Sequence, residues 1–285
     1  MFKNICVPIS SEYYSKEVLK RAVFLAERFD SKITLYSILE EQTLEQVAKQ
    51  SSSYRTPYDR SETKKDRLIQ HRKTSANIIF DDAKHLLKNK SIPYREKVVE
   101  GTFGEVIKRE IDAEEYDLIL MGFKKGCALD YSFFYQLDIP IWIESEHKDK
   151  SILAICSNLA PNQRVPKISM ELAEKLDWKL KMLYVVDVQD SVEVDENGER
   201  SEKKPEQVLT SDAQKFIDEM KKKNIDVEMI KGNIPDETDD FADKIDAGLV
   251  VIGRMKKKKG VLGLPAGNVR QKMAGRCDHS ILFVN

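Results

Sequence analysis

The sequence predicts an α/β protein built from two repeated doubly wound domains, each a five-stranded parallel sheet with flanking helices. Three observations carry this. Short, near-continuous apolar runs alternate with segments whose apolar residues recur at helical spacing, the pattern of a parallel sheet. The alternation then happens a second time. Asp117-Leu-Ile-Leu-Met-Gly-Phe-Lys-Lys125 returns as Gly248-Leu-Val-Val-Ile-Gly-Arg-Met-Lys256, and Asn4-Ile-Cys-Val-Pro-Ile9 as Ser151-Ile-Leu-Ala-Ile-Cys156. Finally, 285 residues are long for one core and comfortable for two of about 140 each.

The elements follow in order. Asn4–Ile9 is the first strand. Val18, Leu19, Ala22, Val23, Leu25, Ala26 and Phe29 form one helical stripe, and Ser15 is placed to cap it. Lys32–Leu39 is the second strand. Residues 40–67 are polar, with Ser51-Ser-Ser53 and Pro57, and read as a connection or a partly helical excursion. Ile78, Ile79, Ala83, Leu86 and Leu87 mark another helix, Pro93–Val99 a third strand, and Val106 and Ile107 a short helix opened at Gly101-Thr-Phe-Gly104. Leu118–Met121 and Ile139–Ile143 close the first repeat.

The second repeat has Ser151–Cys156, a helix marked by Ile168, Leu172, Ala173 and Leu176, and the strand Lys181–Val186. A polar, acidic loop from Asp190 to Pro205 contains the turn signal Asn197-Gly198. A helix marked by Val208, Ala213, Phe216, Ile217 and Met220 follows, then Val227–Ile230, Leu249–Ile252 and Ile281–Val284. Gly122 and Gly253 stand 131 residues apart and Ser10 and Ser157 147, so the first half carries about 16 more residues between those landmarks. The boundary falls in the charged stretch Ser145–Lys150, which sets the domains at 1–148 and 149–285.

Composition narrows the function. Apolar residues make up 41% and charged residues 33%, the balance of a well-solvated globular chain. A net charge of −1 gives no global pull toward nucleic acid or an anionic membrane. The opening Met-Phe-Lys-Asn-Ile-Cys-Val-Pro is far short of a signal-peptide core, and no stretch approaches a membrane span, so a cytoplasmic location is expected. Cys6, Cys127, Cys156 and Cys277 form no C-x-x-C pair, and the four histidines show no ligand spacing, so no metal site is expected.

One stretch carries chemistry. Leu249–Ile252 is a buried strand; Gly253, Gly260 and Gly263 punctuate the loop after it; Gly267-Asn268-Val269 opens a helix. Backbone N–H groups at such a helix start, together with its dipole, favour an anion. Lys256 to Lys259 add positive charge. A phosphate-bearing ligand fits this pattern. Glycines that only permit tight turns, beside lysines that form a solvated rim, fit it as well.

The repeated unit resembles a universal stress protein domain, twice over and across essentially the whole chain. The carriers are Ile5–Ile9, the helix with Ala22 and Leu25-Ala26, and above all Leu249-Val-Val-Ile-Gly253 leading through glycines to Gly267-Asn-Val269 and Ser280–Val284. The family pattern there is a strand, Gly-x-x-Gly, about nine residues, Gly-Ser/Thr, a helix and a last apolar strand. The resemblance implies a Rossmann-like sheet of the adenine nucleotide alpha hydrolase type. It also implies ATP, with Mg²⁺, as a candidate ligand, since many members bind ATP and others do not. The residues placed at that ligand are Ser157, Val185, Gly253, Lys256, Gly260, Gly263, Gly267, Asn268 and Val269.

The departures from the family pattern are specific. Where ATP-holding members carry an Asp after the first strand, Ser10 and Ser157 stand here. A hydroxyl lacks the charge-assisted component of about 1.5–3 kcal/mol, roughly ten- to hundredfold in affinity. Lys256 replaces the second glycine, and Asn268 replaces Ser/Thr while remaining an adequate cap. In the first half only 17 residues separate Gly122 from Pro140, against 26 between Gly253 and Ser280. Its phosphate cradle is therefore expected to be gone, with Tyr131, Phe133, Phe134 and Tyr135 either filling the space, the preferred reading, or capping the sheet against the other half. Asp187, after the second strand of the second half, is either a ribose contact or simply solvated.

The reading that follows is a non-enzymatic stress-response or regulatory protein that acts by ligand occupancy or partner contact. Unpaired last strands would leave exposed sheet edges, so Ile139–Ile143 is expected to pair antiparallel with Ile281–Val284 as an internal pseudo-dimer. Family members also pair through these strands as homodimers. The rival is an enzyme on the same fold, hydrolysing ATP or transferring a nucleotidyl group. Ser10-Ser-Glu12 and Ser157-Asn-Leu159 lack the glycines of the Ser-Gly-Gly turn used for that cleavage, and no Walker lysine or Gly-x-Ser-x-Gly elbow occurs. A polyanion site at Lys256–Lys259 is a third reading, weakened by the lack of interleaved aromatics.

Overall fold

The computed structural model describes residues 1–9, 15–39, 80–122 save 82 and 89, 137–145, 149–159, 164–193, 195, 199, 201–253 and 279–284. The chain divides into two compact units, Met1–Leu137 and Asp138–Asn285.

The first unit contains β1 (Asn4–Ile9), α1 (Lys16–Phe29), β2 (Lys32–Leu39), β3 (Tyr94–Glu100), α2 (Phe103–Ala113) and β4 (Leu118–Gly122). Its strands lie in the order β3-β2-β1-β4, all parallel. All seven residues of the expected α1 stripe are buried. Ser15 caps the helix, its hydroxyl accepting the Val18 N–H at 3.4 Å. Residues 80–88 are helical where described, with Ala83 and Leu87 buried. β1 and β4 are buried almost throughout, as strands covered on both faces require.

The second unit contains β5 (Ile141–Glu144), β6 (Ser151–Ser157), α3 (Arg164–Leu176), β7 (Lys179–Asp187), α4 (Glu206–Lys222), β8 (Val227–Gly232), α5 (Ile234–Ile245), β9 (Leu249–Gly253) and β10 (Ser280–Val284). Its strand order is β5-β10-β9-β6-β7-β8. Five strands are parallel, and β5 runs antiparallel to β10 with Ile281 opposite Ile143 and Leu282 opposite Trp142. The expected strand pair therefore forms, with β5 starting at Ile141, after Pro140, which has no N–H to donate to the ladder. Trp142 Nε1 donates to Glu144 Oε2 at 2.8 Å, and Ser280 Oγ donates to the same oxygen at 3.3 Å.

The duplication reads at the level of hydrogen bonds. Asn4 pairs with Lys32 in one unit and Ser151 with Lys179 in the other. Both first helices end on an aspartate in the left-handed region, Asp30 (φ 53°) and Asp177 (φ 57°), and the next N–H reaches back to a helical carbonyl, Ser31 to Ala26 and Trp178 to Ala173. The units differ where β4 and β9 begin. Asp117 Oδ2 accepts the Lys3 and Asn4 N–H groups at 2.8 and 2.9 Å. Its counterpart Gly248 donates its own N–H to Ser151 Oγ at 3.1 Å. A Cβ at Gly248 would collide with the Asp149 carbonyl oxygen, so no side chain fits.

The helix marked by Val208, Ala213, Phe216, Ile217 and Met220 forms as α4, and burial sets which of its residues face the sheet. Val208 is 40% exposed, while Leu209 is buried beside Ala213, Ile217 and Met220. α4 starts at Glu206, and the stripe that faces the sheet runs 209, 213, 217, 220, leaving Val208 off its edge.

Candidate functional site

In the second unit the chain steps outward from β6 through β7 to β8, then crosses back to β9 on the other side of β6. The strand order reverses between β6 and β9, and in open parallel sheets the crevice outside the carboxyl ends at such a reversal is where ligands bind. Ser157 ends β6, Val185 lies near the end of β7, and Gly253 ends β9. Ile155 pairs with Ile252, so Ser157 and Gly253 flank the reversal on neighbouring strands. The sequence-predicted residues Lys256, Gly260, Gly263, Gly267, Asn268 and Val269 lie outside the described residues, as do Ser10 and the aromatic cluster Tyr131, Phe133, Phe134 and Tyr135.

Ser157 is 2% exposed, and its hydroxyl oxygen accepts the Leu159 N–H at 3.1 Å. Val185 is buried completely, as an apolar strand residue should be. Gly253 is half-buried.

Two neighbouring residues organise this end of the sheet: Asn158, which sequence reasoning passed over, and Asp187. Asn158, 3% exposed, accepts the Asp187 N–H at 2.7 Å and donates through Nδ2 to the carbonyls of Val192, Asp187 and Asp190 at 2.8, 3.3 and 3.4 Å. Asp187, also 3% exposed, accepts the N–H groups of Gln189 and Asp190 through Oδ1 at 3.0 and 2.9 Å, an Asx turn. The expectation of a solvated Asp187 is corrected here: the residue is buried, with Oδ1 folded into its own loop. Gln189 Oε1 then accepts from Asn233 Nδ2 at 3.0 Å, joining this loop to the start of α5. The only sequence signal was an amide and a carboxylate immediately past two apolar strands.

A second polar cluster occupies the first unit at the amino-terminal side of β4. Tyr36 and Tyr116 share a hydroxyl–hydroxyl bond of 2.7 Å, Lys97 Nζ reaches Glu114 at 2.5 Å and Glu110 at 3.5 Å, and Arg95 also bonds Glu114. Lys97, with Arg95 and Tyr116, holds the Glu114 carboxyl down to about 2. Burial pushes both tyrosine hydroxyls up. Burial likewise pushes up the thiols of Cys6 and Cys156, which removes them as thiolate nucleophiles. Among the described residues, no three His, Cys, Asp or Glu side chains group closely enough to hold a metal ion, and no helix is long and apolar enough to cross a membrane.

The model of the universal stress protein family matches residues 1–132 and again 150–285. The chain belongs to the universal stress protein family. Three solved structures of similar fold match nearly end to end. A Pseudomonas aeruginosa UCBPP-PA14 chain, provisionally assigned as a universal stress protein, is 14% identical with a TM-score of 0.68, covering 99% of this chain and 93% of its own. A functionally unknown Pseudomonas aeruginosa PAO1 protein is 15% identical with a TM-score of 0.68, covering 99% and 92%. A universal stress protein from Archaeoglobus fulgidus DSM 4304 is 11% identical with a TM-score of 0.64, covering 98% and 96%. No curated protein sequence matches the chain. As a tandem universal stress protein, the chain ends β9 of its second repeat at Gly253.

Proposed function

We propose that the chain is a non-enzymatic regulatory protein of the stress response whose second repeat holds a phosphate-bearing ligand, with ATP and Mg²⁺ the first candidate. The observation that supports this is the reversal of strand order between β6 and β9, with Gly253 leaving β9 into a segment containing Gly260, Gly263 and Gly267-Asn268. A glycine-rich exit from a parallel strand brings backbone N–H groups close to an anion, and Lys256 adds charge beside it. The repeats of this proposal are residues 1–148 and 149–285, arranged as a pseudo-dimer and open to further pairing as a homodimer. The same reading puts the protein in the cytoplasm.

The test is isothermal titration of the full chain with ATP and Mg²⁺, after a denatured sample has been searched for carried-over nucleotide. One site per chain is expected, abolished by Gly267→Trp with the thermal midpoint unchanged. No binding at millimolar ATP and no co-purified nucleotide would remove the ATP reading.

A further inference from the structure

We propose that the second unit reads the phosphate chain of its ligand and not the nucleoside, because the strand-end groups that would meet a sugar or base are bonded to one another. This rests on the phosphate reading above and narrows it to a ligand class: oligophosphates, nucleoside triphosphates among them, taken without regard to the base.

Recognition of a nucleoside needs donors and acceptors that face the ligand. A site built to hydrogen-bond a substrate discriminates strongly, and one with no group to offer discriminates weakly. At the carboxyl ends of β6 and β7 the polar groups are already engaged. Ser157 Oγ holds the Leu159 N–H. Both atoms of the Asn158 amide are occupied, the nitrogen by three carbonyls of the loop 187–192 and the oxygen by the Asp187 N–H. Asp187 Oδ1 holds two N–H groups of the same loop, and Gln189 Oε1 holds Asn233. Ser157, Asn158 and Asp187 are each at most 3% exposed. Val192, carried by the pinned loop, is 7% exposed, so the loop is packed down as well as bonded.

The next corner adds the wrong charge for phosphate. The Glu237 side chain folds over Gly232, its carboxylate filling the place where a Cβ of that glycine would sit, and Asp236 stands beside it in the first turn of α5. An anion is therefore kept to the β6–β9 side, at Gly253. Asn158 acts as the positioning residue: it holds the 187–192 loop shut over the β6–β7 side.

The experiment is titration of the full chain, with Mg²⁺ throughout, by ATP, GTP and inorganic tripolyphosphate. The expected result is three affinities within about fivefold of one another. ATP binding more than about fivefold tighter than both others would overturn the proposal and leave the phosphate reading standing. No binding by any of the three would overturn the phosphate reading and this inference with it. Asn158→Ala, checked for an unchanged fold by its thermal midpoint and circular dichroism, tests the loop itself. Faster amide exchange at 187–192, with ATP drawing ahead of tripolyphosphate, is expected. Unchanged exchange would overturn the assigned part of Asn158.

Discussion

Single residues carry sharp consequences where the backbone leaves no room or where charges are pinned together. Gly248 sits against the Asp149 carbonyl, a backbone atom that cannot swing away. Gly248→Ala must move one strand against the other, and a loss of about 1–3 kcal/mol is expected, in the range of overpacked cores. Urea unfolding followed by the fluorescence of Trp142 and Trp178, both in the second unit, would read it, and an unchanged midpoint would contradict the close approach of Asp149 to Gly248. Glu114 carries a pH signature. Its carboxyl titrates at about 2 in the folded protein against an ordinary 4.5, chiefly because Lys97 bonds its ionised form. The unfolded chain therefore binds this proton first as pH falls. The stabilisation is complete above pH 4.5 and drains away between there and pH 2. Glu114→Gln should flatten the acid limb of the stability profile over that window. An unchanged profile would show that the Lys97–Glu114 pair contributes nothing.

At the scale of elements, neighbours on one helix separate pattern from packing. Leu209 is 1% exposed on α4 and Val208 is 40% exposed. Leu209→Ala is expected to cost about 2–4 kcal/mol, and Val208→Ala less than about 0.5 kcal/mol. Equal losses measured by chemical denaturation would mean α4 packs in a different rotation. The same pair shows how far periodicity carries. α1 was legible in full because seven apolar residues at helical spacing follow a serine cap with no proline or glycine between. α4 follows Pro205, which fixes where the helix starts but not which of Val208 and Leu209 turns inward. The site was legible at its strand ends, since the apolar runs stop at Ser157 and Gly253. Asn158 was not. Its bonds go to groups 29 to 34 residues away, and nothing in the local pattern of an amide after a strand encodes them.

For the molecule as a whole, the repeat in sequence and the compact units in space divide the chain at different places. The charged stretch at Ser145–Lys150 marks the end of the first repeat in sequence, whereas the second compact unit begins at Asp138 and includes β5. The difference is physical: β10 offers a bonding edge, and β5 covers it through Ile141, Trp142 and Ile143. Trp142, Ile281, Leu282 and Phe283 are at most 1% exposed, and the Trp142–Glu144–Ser280 bonds fasten the pair. A fragment of residues 149–285 would lose β5 and present β10 as a bare apolar edge, the kind of surface that recruits another strand. A fragment of residues 138–285 keeps it covered. The shorter fragment is expected to unfold at a lower temperature and to sediment as a dimer or larger species. The longer one is expected to unfold higher. Trp142→Ala in the longer fragment should move it toward the shorter one, by about 3–5 kcal/mol for an aromatic lost from a core. Identical midpoints for the two fragments would mean that β5 is incidental to the second unit, and the boundary would then return to the charged stretch at Ser145–Lys150.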